Sequence, residues 1–351
     1  MTRFAGLPSL AFVPPVLPDE LLYSWLGRLV ALNALSSPRA YLLQLFETKD
    51  IVPGVDLPTR LSSLQRILGE SSPFDHADQM IEVATLFPYH RSFLILKRAA
   101  AARDILLNGD GKGLKTLIGR VANRFGASPS LRFCPACIER DISTHGTSYW
   151  HRSHHLPGVA CCAEHALNLV FHSSPSISAD KQRLVLTPGV CFAAHVPADP
   201  PQVRFAEMSR ELLHAGLPPT DPGDLQAAYV AAIRRSGWVC GGGRLDHGAL
   251  IRAIRSYFND FESLVHRERL LAPCGQPLAW LRTLWQRPQR ASHPICHLLL
   301  IDFLFGSLKQ FRVALQERID MEPACRVAAP VGQPQATLNK TPQQSGHQGP
   351  H

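Results

Sequence analysis

Read for the spacing of its apolar positions, the chain is a succession of short amphipathic helices. After the proline-rich entry Pro14 to Pro18, Leu22, Trp25, Leu26, Leu29 and Val30 recur along one helical face, with Asp19 placed as the N-cap. Ser37 caps a second helix that begins at Pro38 and carries Tyr41, Leu42, Leu45 and Phe46 on its inner face. The Asn33–Ser36 turn makes the pair a candidate helix-turn-helix, although an ordinary αα-hairpin has the same pattern. Further helices are predicted over 60–69, 75–86 and 91–107.

Past Gly126 to Pro129 the pattern changes. Residues 131–172 concentrate cysteine, histidine and aromatic side chains. Residues 173–202 are rich in Ser and Pro, with one strand-like run at Arg183–Leu186. Helical spacing returns over 205–215 and 224–235, then breaks at Gly237 to Gly243. Asp246 is placed as the cap of a helix that turns Leu250, Ile254, Tyr257, Phe258 and Phe261 to one side and Arg252 and Arg255 outward. Two helices, 277–286 and 294–318, complete the pattern. From 323 onward the chain is Pro-, Gln- and Gly-rich and is expected to be disordered.

Composition narrows the function. A length of 351 residues suggests two or three domains. The net charge of +8 favours a polyanionic partner, usually nucleic acid. Met1 to Leu10 has no apolar signal core, and Leu298 to Phe305 is too short for a membrane span and is interrupted by Asp302. The expected location is the cytoplasm, nucleoid-associated when bound to DNA. In that reducing setting, paired cysteines are metal ligands more often than disulfides.

Cys134-Pro135-Ala136-Cys137 places two thiolates on one ion, and Cys162-Ala163-Glu164-His165 repeats the spacing with an imidazole. The 24 residues 138–161 lie between the pairs. Four ligands in two close pairs predict a closed tetrahedral site for one structural zinc ion, with no open position for catalysis. Cys161 with His165 is a sterically allowed alternative, and His151, His154 and His155 are further candidates. The repeated two-residue spacer favours Cys162.

Catalytic patterns do not emerge. Gly109-Asp110-Gly111-Lys112-Gly113 lacks the spacing and the following Ser or Thr of a phosphate-binding loop. Gly241–Gly243 reads as a turn, and His293 and His297 lack the acidic partner of a zinc-hydrolase helix. The chain is expected not to be an enzyme. Among its many arginines, Arg252 and Arg255 are placed best to enter a DNA groove, with Arg28 and Arg39 as further phosphate contacts. Tyr149 and Trp150 are expected to cover the ribbon rather than stack on bases.

Three ordered segments carry a family resemblance. They are Pro18-Asp19-Glu20-Leu21-Leu22-Tyr23-Ser24-Trp25-Leu26-Gly27-Arg28-Leu29, the segment from Arg132-Phe133-Cys134 through Tyr149-Trp150-His151-Arg152 and Leu156-Pro157-Gly158-Val159 to His165, and His293-Pro294-Ile295-Cys296-His297. Together the chain resembles the TniQ family and its TnsD branch. The resemblance implies a target selector of heteromeric DNA transposons. Such a protein binds double-stranded DNA and recruits an AAA+ regulator (TnsC-like), with transposase subunits or, in some systems, a guide-RNA effector complex as further partners. A zinc-ribbon transcriptional regulator without transposon partners is the alternative, and a metal-dependent hydrolase a weaker third.

The resulting expectation is a mainly α, multidomain protein. It has an N-terminal helical region with the helix-turn-helix (1–128), a small zinc ribbon (129–172), a connector (173–204), a C-terminal helical DNA-binding-like region (205–322) and a tail (323–351).

Overall fold

The computed structural model describes residues 10–120, 130–172, 181–191, 193–259, 261, 270–271, 278–286 and 289–320. Helices dominate. The first group is α1 (Leu22–Leu32), α2 (Pro38–Phe46), α3 (Leu61–Leu68), α4 (Ala77–Ala84), α5 (Phe87–Arg91), α6 (Leu96–Asn108) and α7 (Leu114–Leu117). A small module follows, with β1 (Leu131–Phe133), α8 (Pro135–His145) and β2 (Val170–His172). The last group is α9 (Pro200–Ala215), α10 (Pro222–Arg235), α11 (His247–Tyr257), α12 (Ala279–Gln286), α13 (Pro294–Phe305) and α14 (Leu308–Asp320). The expected tail from 323 lies outside the described residues.

Two apolar cores organise these elements. The first gathers Leu22, Trp25 and Leu29 of α1 with Leu42, Leu45, Leu61, Leu64, Met80 and Leu106. The second runs unbroken from Leu131 and Trp150 of the small module through Phe205 and Leu212 to Leu298 and Phe311. The start of α1 and the turn into α5 form their common wall. Trp25 and Phe87 face the first core, while Tyr23, Leu86 and Tyr89 face the second. An amphipathic helix normally hides one stripe. Here Leu22 to Gly27 are all buried, because packed elements lie on both sides of the helix.

Several local expectations hold, and their chemistry explains why. Ser37 Oγ accepts from Ala40 N–H at 3.4 Å, with Pro38 just inside the helix. Asp246 Oδ1 accepts from Ala249 N–H at 2.9 Å at the start of α11. Others change. Asp19 is not a cap: Leu21 occupies that position, and Asp19 has a left-handed backbone (φ 57°) that turns its carboxylate toward residues 152–153. The pattern over 75–86 ends early, because the Thr85 hydroxyl donates to Ile81 O (2.7 Å) and accepts from Phe87 N–H (3.1 Å), starting a new helix. The single helix expected over 294–318 is two, divided at Gly306, whose φ of 68° is left-handed. Ser307 then caps α14 through Gln310 N–H at 3.2 Å.

The run Arg183–Leu186 pairs in no β-ladder and instead straps the parts together. Tyr23 OH donates to Arg183 O (3.3 Å) and accepts from Val185 N–H (3.1 Å), and Trp150 Nε1–H donates to Val185 O at 2.7 Å. Three of its backbone groups thus pair with side chains of the N-terminal helices and the small module instead of a partner strand.

Candidate metal centre

The small module is a two-stranded antiparallel ribbon with a helix on its first knuckle. β1 pairs with β2 in the register Leu131↔His172, Arg132↔Phe171 and Phe133↔Val170. At the end of β1, Cys134 is the N-cap of α8 and Pro135 takes the first helical position, where its missing N–H costs nothing. Cys137 therefore sits in the first turn, and its backbone N–H bonds the Cys134 sulfur. The second knuckle is a tight turn in which Cys162 N–H donates to Leu167 O (2.8 Å) and Ala166 N–H to Cys162 O (3.0 Å).

These two turns bring Cys134, Cys137, Cys162 and His165 together, with all four donor atoms within 4.8 Å of one another. His165 Nδ1 lies 3.6, 3.3 and 3.6 Å from the sulfurs of Cys134, Cys137 and Cys162, and the Cys137 and Cys162 sulfurs are 3.7 Å apart. A tetrahedron with metal–sulfur bonds of about 2.3 Å has edges of about 3.8 Å. The cluster thus has the dimensions of a four-coordinate site and could hold one metal ion. The three cysteines are buried and His165 is half-buried, so the protein donors close the site.

The ionisation of the sulfurs fits the same conclusion. Contacts from the Cys134 and Cys137 thiols hold Cys162 well below the usual thiol range. Contacts with Cys134 and then Cys162 push Cys137 well above it. Three adjacent thiols share one negative charge unless a cation lies among them.

Cys161, the alternative ligand, is not in the cluster. Neighbouring residues of extended chain face opposite ways. Cys161 is buried in the second core and its thiol is pushed up to about 12 by burial. The extra histidines are also placed elsewhere. His151 Nε2 lies 2.7 Å from Asp141 Oδ2. His155 Nε2 accepts from Arg132 N–H at 3.2 Å, and its Nδ1 bonds His151 O at 2.8 Å. His154 Nε2 approaches Cys137 Sγ from outside the four, at 3.7 Å. Tyr149 stacks on His151 at 4.3 Å and Trp150 is fully buried, so both cover the module.

Two arginines had no sequence signal of their importance. Arg132 is 1% exposed and donates to Val159 O (2.5 Å) and Leu156 O (3.4 Å), with burial lowering its pKa to about 10. Arg152 donates to Glu82 O at 2.7 Å and pairs with Asp19. Arg132 stands two residues before Cys134 and Arg152 directly follows Trp150-His151, the nearest thing to a clue.

The four arginines chosen for DNA are scattered in environment. Arg28 is 11% exposed and pairs with Glu20 at 2.7 Å. Arg39 is exposed in the first turn of α2, and Arg252 is exposed on α11. Arg255 is half-buried, its Nε 3.4 Å from Leu271 O. His293 caps α13 at Ile295 N–H (3.3 Å), and His297 is buried against Tyr229 OH at 2.9 Å. Among the described residues no helix is long and apolar enough to cross a membrane.

Comparison with known proteins gives three matches. The TniQ family model matches residues 11–169. The model for Tn7-like transposition protein D matches residues 205–346. The transposon Tn7 transposition protein TnsD of Escherichia coli is 25% identical over 153 residues, covering 44% of this chain and 30% of that protein. The interval between the two matched regions, 170–204, follows the second knuckle and ends within the first turns of α9.

Proposed function

This chain is a TniQ/TnsD-like transposition protein, and from that premise we propose that it selects insertion sites on DNA for a heteromeric transposon. It binds double-stranded DNA and recruits an AAA+ regulator of the TnsC type, which brings the transposase. A guide-RNA effector complex is the other source of target information for such an adaptor. The observation that carries this reading is the order of parts: a TniQ region, a closed Cys/His cluster at its end, and a TnsD-like helical region behind it. The protein acts in the cytoplasm, on the nucleoid.

The ion is one zinc, held by Cys134, Cys137, Cys162 and His165. Three thiolates and an imidazole in a tetrahedron suit zinc, and a site closed by protein donors serves structure rather than catalysis. The chain itself is not an enzyme; strand transfer belongs to the transposase. The working units are an N-terminal helix-turn-helix region (1–128), the ribbon (129–172), a connector (173–204) and a C-terminal DNA-reading region (205–322).

The ribbon sets how these units sit. Leu21 N–H donates to Trp150 O at 2.9 Å, and Arg152 N–H to Asp19 O at 2.7 Å, so α1 enters directly from the metal module. The same module shares its core with α9 and α13. Exposed arginines such as Arg39 and Arg252 supply phosphate contacts, with Arg255 beside Arg252 on α11. These make affinity salt-dependent, while base contacts set the site.

Pull-down with an AAA+ ATPase encoded beside this chain, with and without DNA, tests the adaptor role. Retention of the ATPase is expected. DNA binding without retention of the ATPase supports a zinc-ribbon transcriptional regulator instead.

A further inference from the structure

We propose that His154 caps the Cys137 thiolate of the metal centre through an Nε2–H···S hydrogen bond, and so sets how tightly the ion is held. The inference rests on the metal reading of the four-residue cluster and adds a fifth residue that is not a ligand.

The geometry assigns the direction of the bond. His154 Nε2 lies 3.7 Å from Cys137 Sγ, its one sulfur within hydrogen-bond geometry, with the Cys162 sulfur also interacting with the ring, while the fourth corner of the tetrahedron is already taken by His165 Nδ1, 3.3 Å from Cys137 Sγ. The His154 ring is 2% exposed and its Nδ1 is buried without a hydrogen-bond partner. With the proton on Nε2, the ring donates to sulfur and leaves only an acceptor unmet. With the proton on Nδ1, a buried N–H would face nothing and two lone pairs would meet at sulfur. Unmet buried donors are the rarer and costlier case.

The ring is also held in place. His151 packs on it at a centroid distance of 4.9 Å, and His151 is fixed by Asp141, which lies on α8, the helix that carries Cys137. One residue before His154, Ser153 N–H donates to Asp19 Oδ2 at 3.0 Å. The capping ring is thus clamped between the first metal knuckle and the joint with α1.

The chemical need is plain. Three thiolates and a neutral imidazole around a dication leave one net negative charge in a buried site. A donor aimed at one sulfur spreads that charge and orients the ligand, as outer-shell partners of metal ligands do.

The test uses the full chain. Zinc affinity is measured by competition with a chromophoric chelator for wild type, His154→Leu and His154→Gln. Wild type that binds no zinc removes the metal reading itself. If wild type binds, His154→Leu is expected to bind about 10–100-fold more weakly. His154→Gln, whose amide N–H reaches the same sulfur, recovers most of that loss. Cobalt substitution adds a readout that packing alone does not move. In His154→Leu the tetrahedral ligand-field bands keep their intensity, and the sulfur-to-cobalt charge-transfer band moves to lower energy. Unchanged zinc affinity in His154→Leu overturns the proposal, and so does loss of the tetrahedral bands, which would make His154 a ligand. If His154→Leu does not fold, cadmium-113-substituted wild type decides. A scalar coupling between cadmium and the Nε2 proton is expected, and a His154 ring protonated on Nδ1 contradicts it.

Discussion

Arg152 Nε stands 3.3 Å from Asp19 Oδ1, where the entry to α1, the metal module and the end of α9 meet. Arg152 also donates to Glu82 O (2.7 Å) and Thr85 O (3.2 Å), and its NH2 lies 3.4 Å from His214 Nδ1. Burial pushes the Asp19 carboxyl up, but Arg152, the Ser153 N–H, His151 and His214 outweigh it and leave it below its ordinary range. The pair therefore joins parts of the chain that are distant in sequence.

Arg152→Ala leaves the largely buried Asp19 carboxylate with the Ser153 N–H but no arginine partner, and removes a donor from two carbonyls. It should cost about 3–5 kcal/mol, as breaking one side of a buried pair does. A double-mutant cycle with Asp19→Asn, read by denaturant unfolding, should give a coupling above about 1 kcal/mol. Additive losses would show that the two residues do not act together.

Three buried histidines make the fold acid-sensitive. Burial lowers His90, His155 and His297 each to about 3 from an ordinary 6.5. Below pH 6.5 the unfolded chain takes up protons that the native state refuses, so stability falls as pH falls through the window from 6.5 toward 3. The loss between pH 7 and 5.5 should be on the order of 1 kcal/mol per histidine. Asp19 and Asp56 have lowered pKa values, and their contribution is lost only below about 3.8, outside the range from pH 7 to 5.5. A denaturation midpoint that is flat between pH 7 and 5.5 would count against this assignment.

Gly158 binds the metal module to the C-terminal helices by having no side chain. Its φ is 83°, and a Cβ there would stand 2.5 Å from Ile295 Cδ1 and 3.0 Å from Phe205 Cε1. Gly158→Ala combines left-handed strain with overpacking and should destabilise by about 2–4 kcal/mol. Gly146, with φ 71° and nothing near its Cβ, should respond less to the same change. Thermal melts of the two variants compare them directly, and equal losses would mean that packing at Gly158 adds nothing.

The arginines should separate by role. Arg252→Ala and Arg39→Ala are expected to leave stability unchanged and to lower the salt slope of DNA binding by about one each. Arg28→Ala should act on stability, because it strands Glu20, which is fully buried and whose carboxyl burial already pushes up. Unfolding curves and salt titrations on the same variants distinguish the two behaviours.

How far the sequence carried depends on the range of the interactions. The gathering of Cys134, Cys137, Cys162 and His165 was legible because knuckle spacing is a local constraint, and it is Cys162, not Cys161, that lies beside His165. Ser37 and Asp246 were legible as caps for the same reason. Asp19 looked like a cap, but its partners are Arg152 and Ser153, more than 130 residues away. The break at Gly306 was hidden inside a continuous apolar pattern, since only the backbone reveals a left-handed glycine. Helix α8 lies outside the expected elements, although Pro135 at its start and Gly146 at its end mark it. The structural roles of Arg132 and Arg152 were not legible, because burial among carbonyls leaves no periodic signature.

Footprinting on genomic fragments with zinc-loaded and zinc-stripped protein tests whether the Cys/His module is needed for DNA selection. Discrete protection at moderate salt is expected from the loaded protein, lost on stripping and regained when zinc is returned. No protection at any fragment, or protection that is the same without the metal, would contradict it.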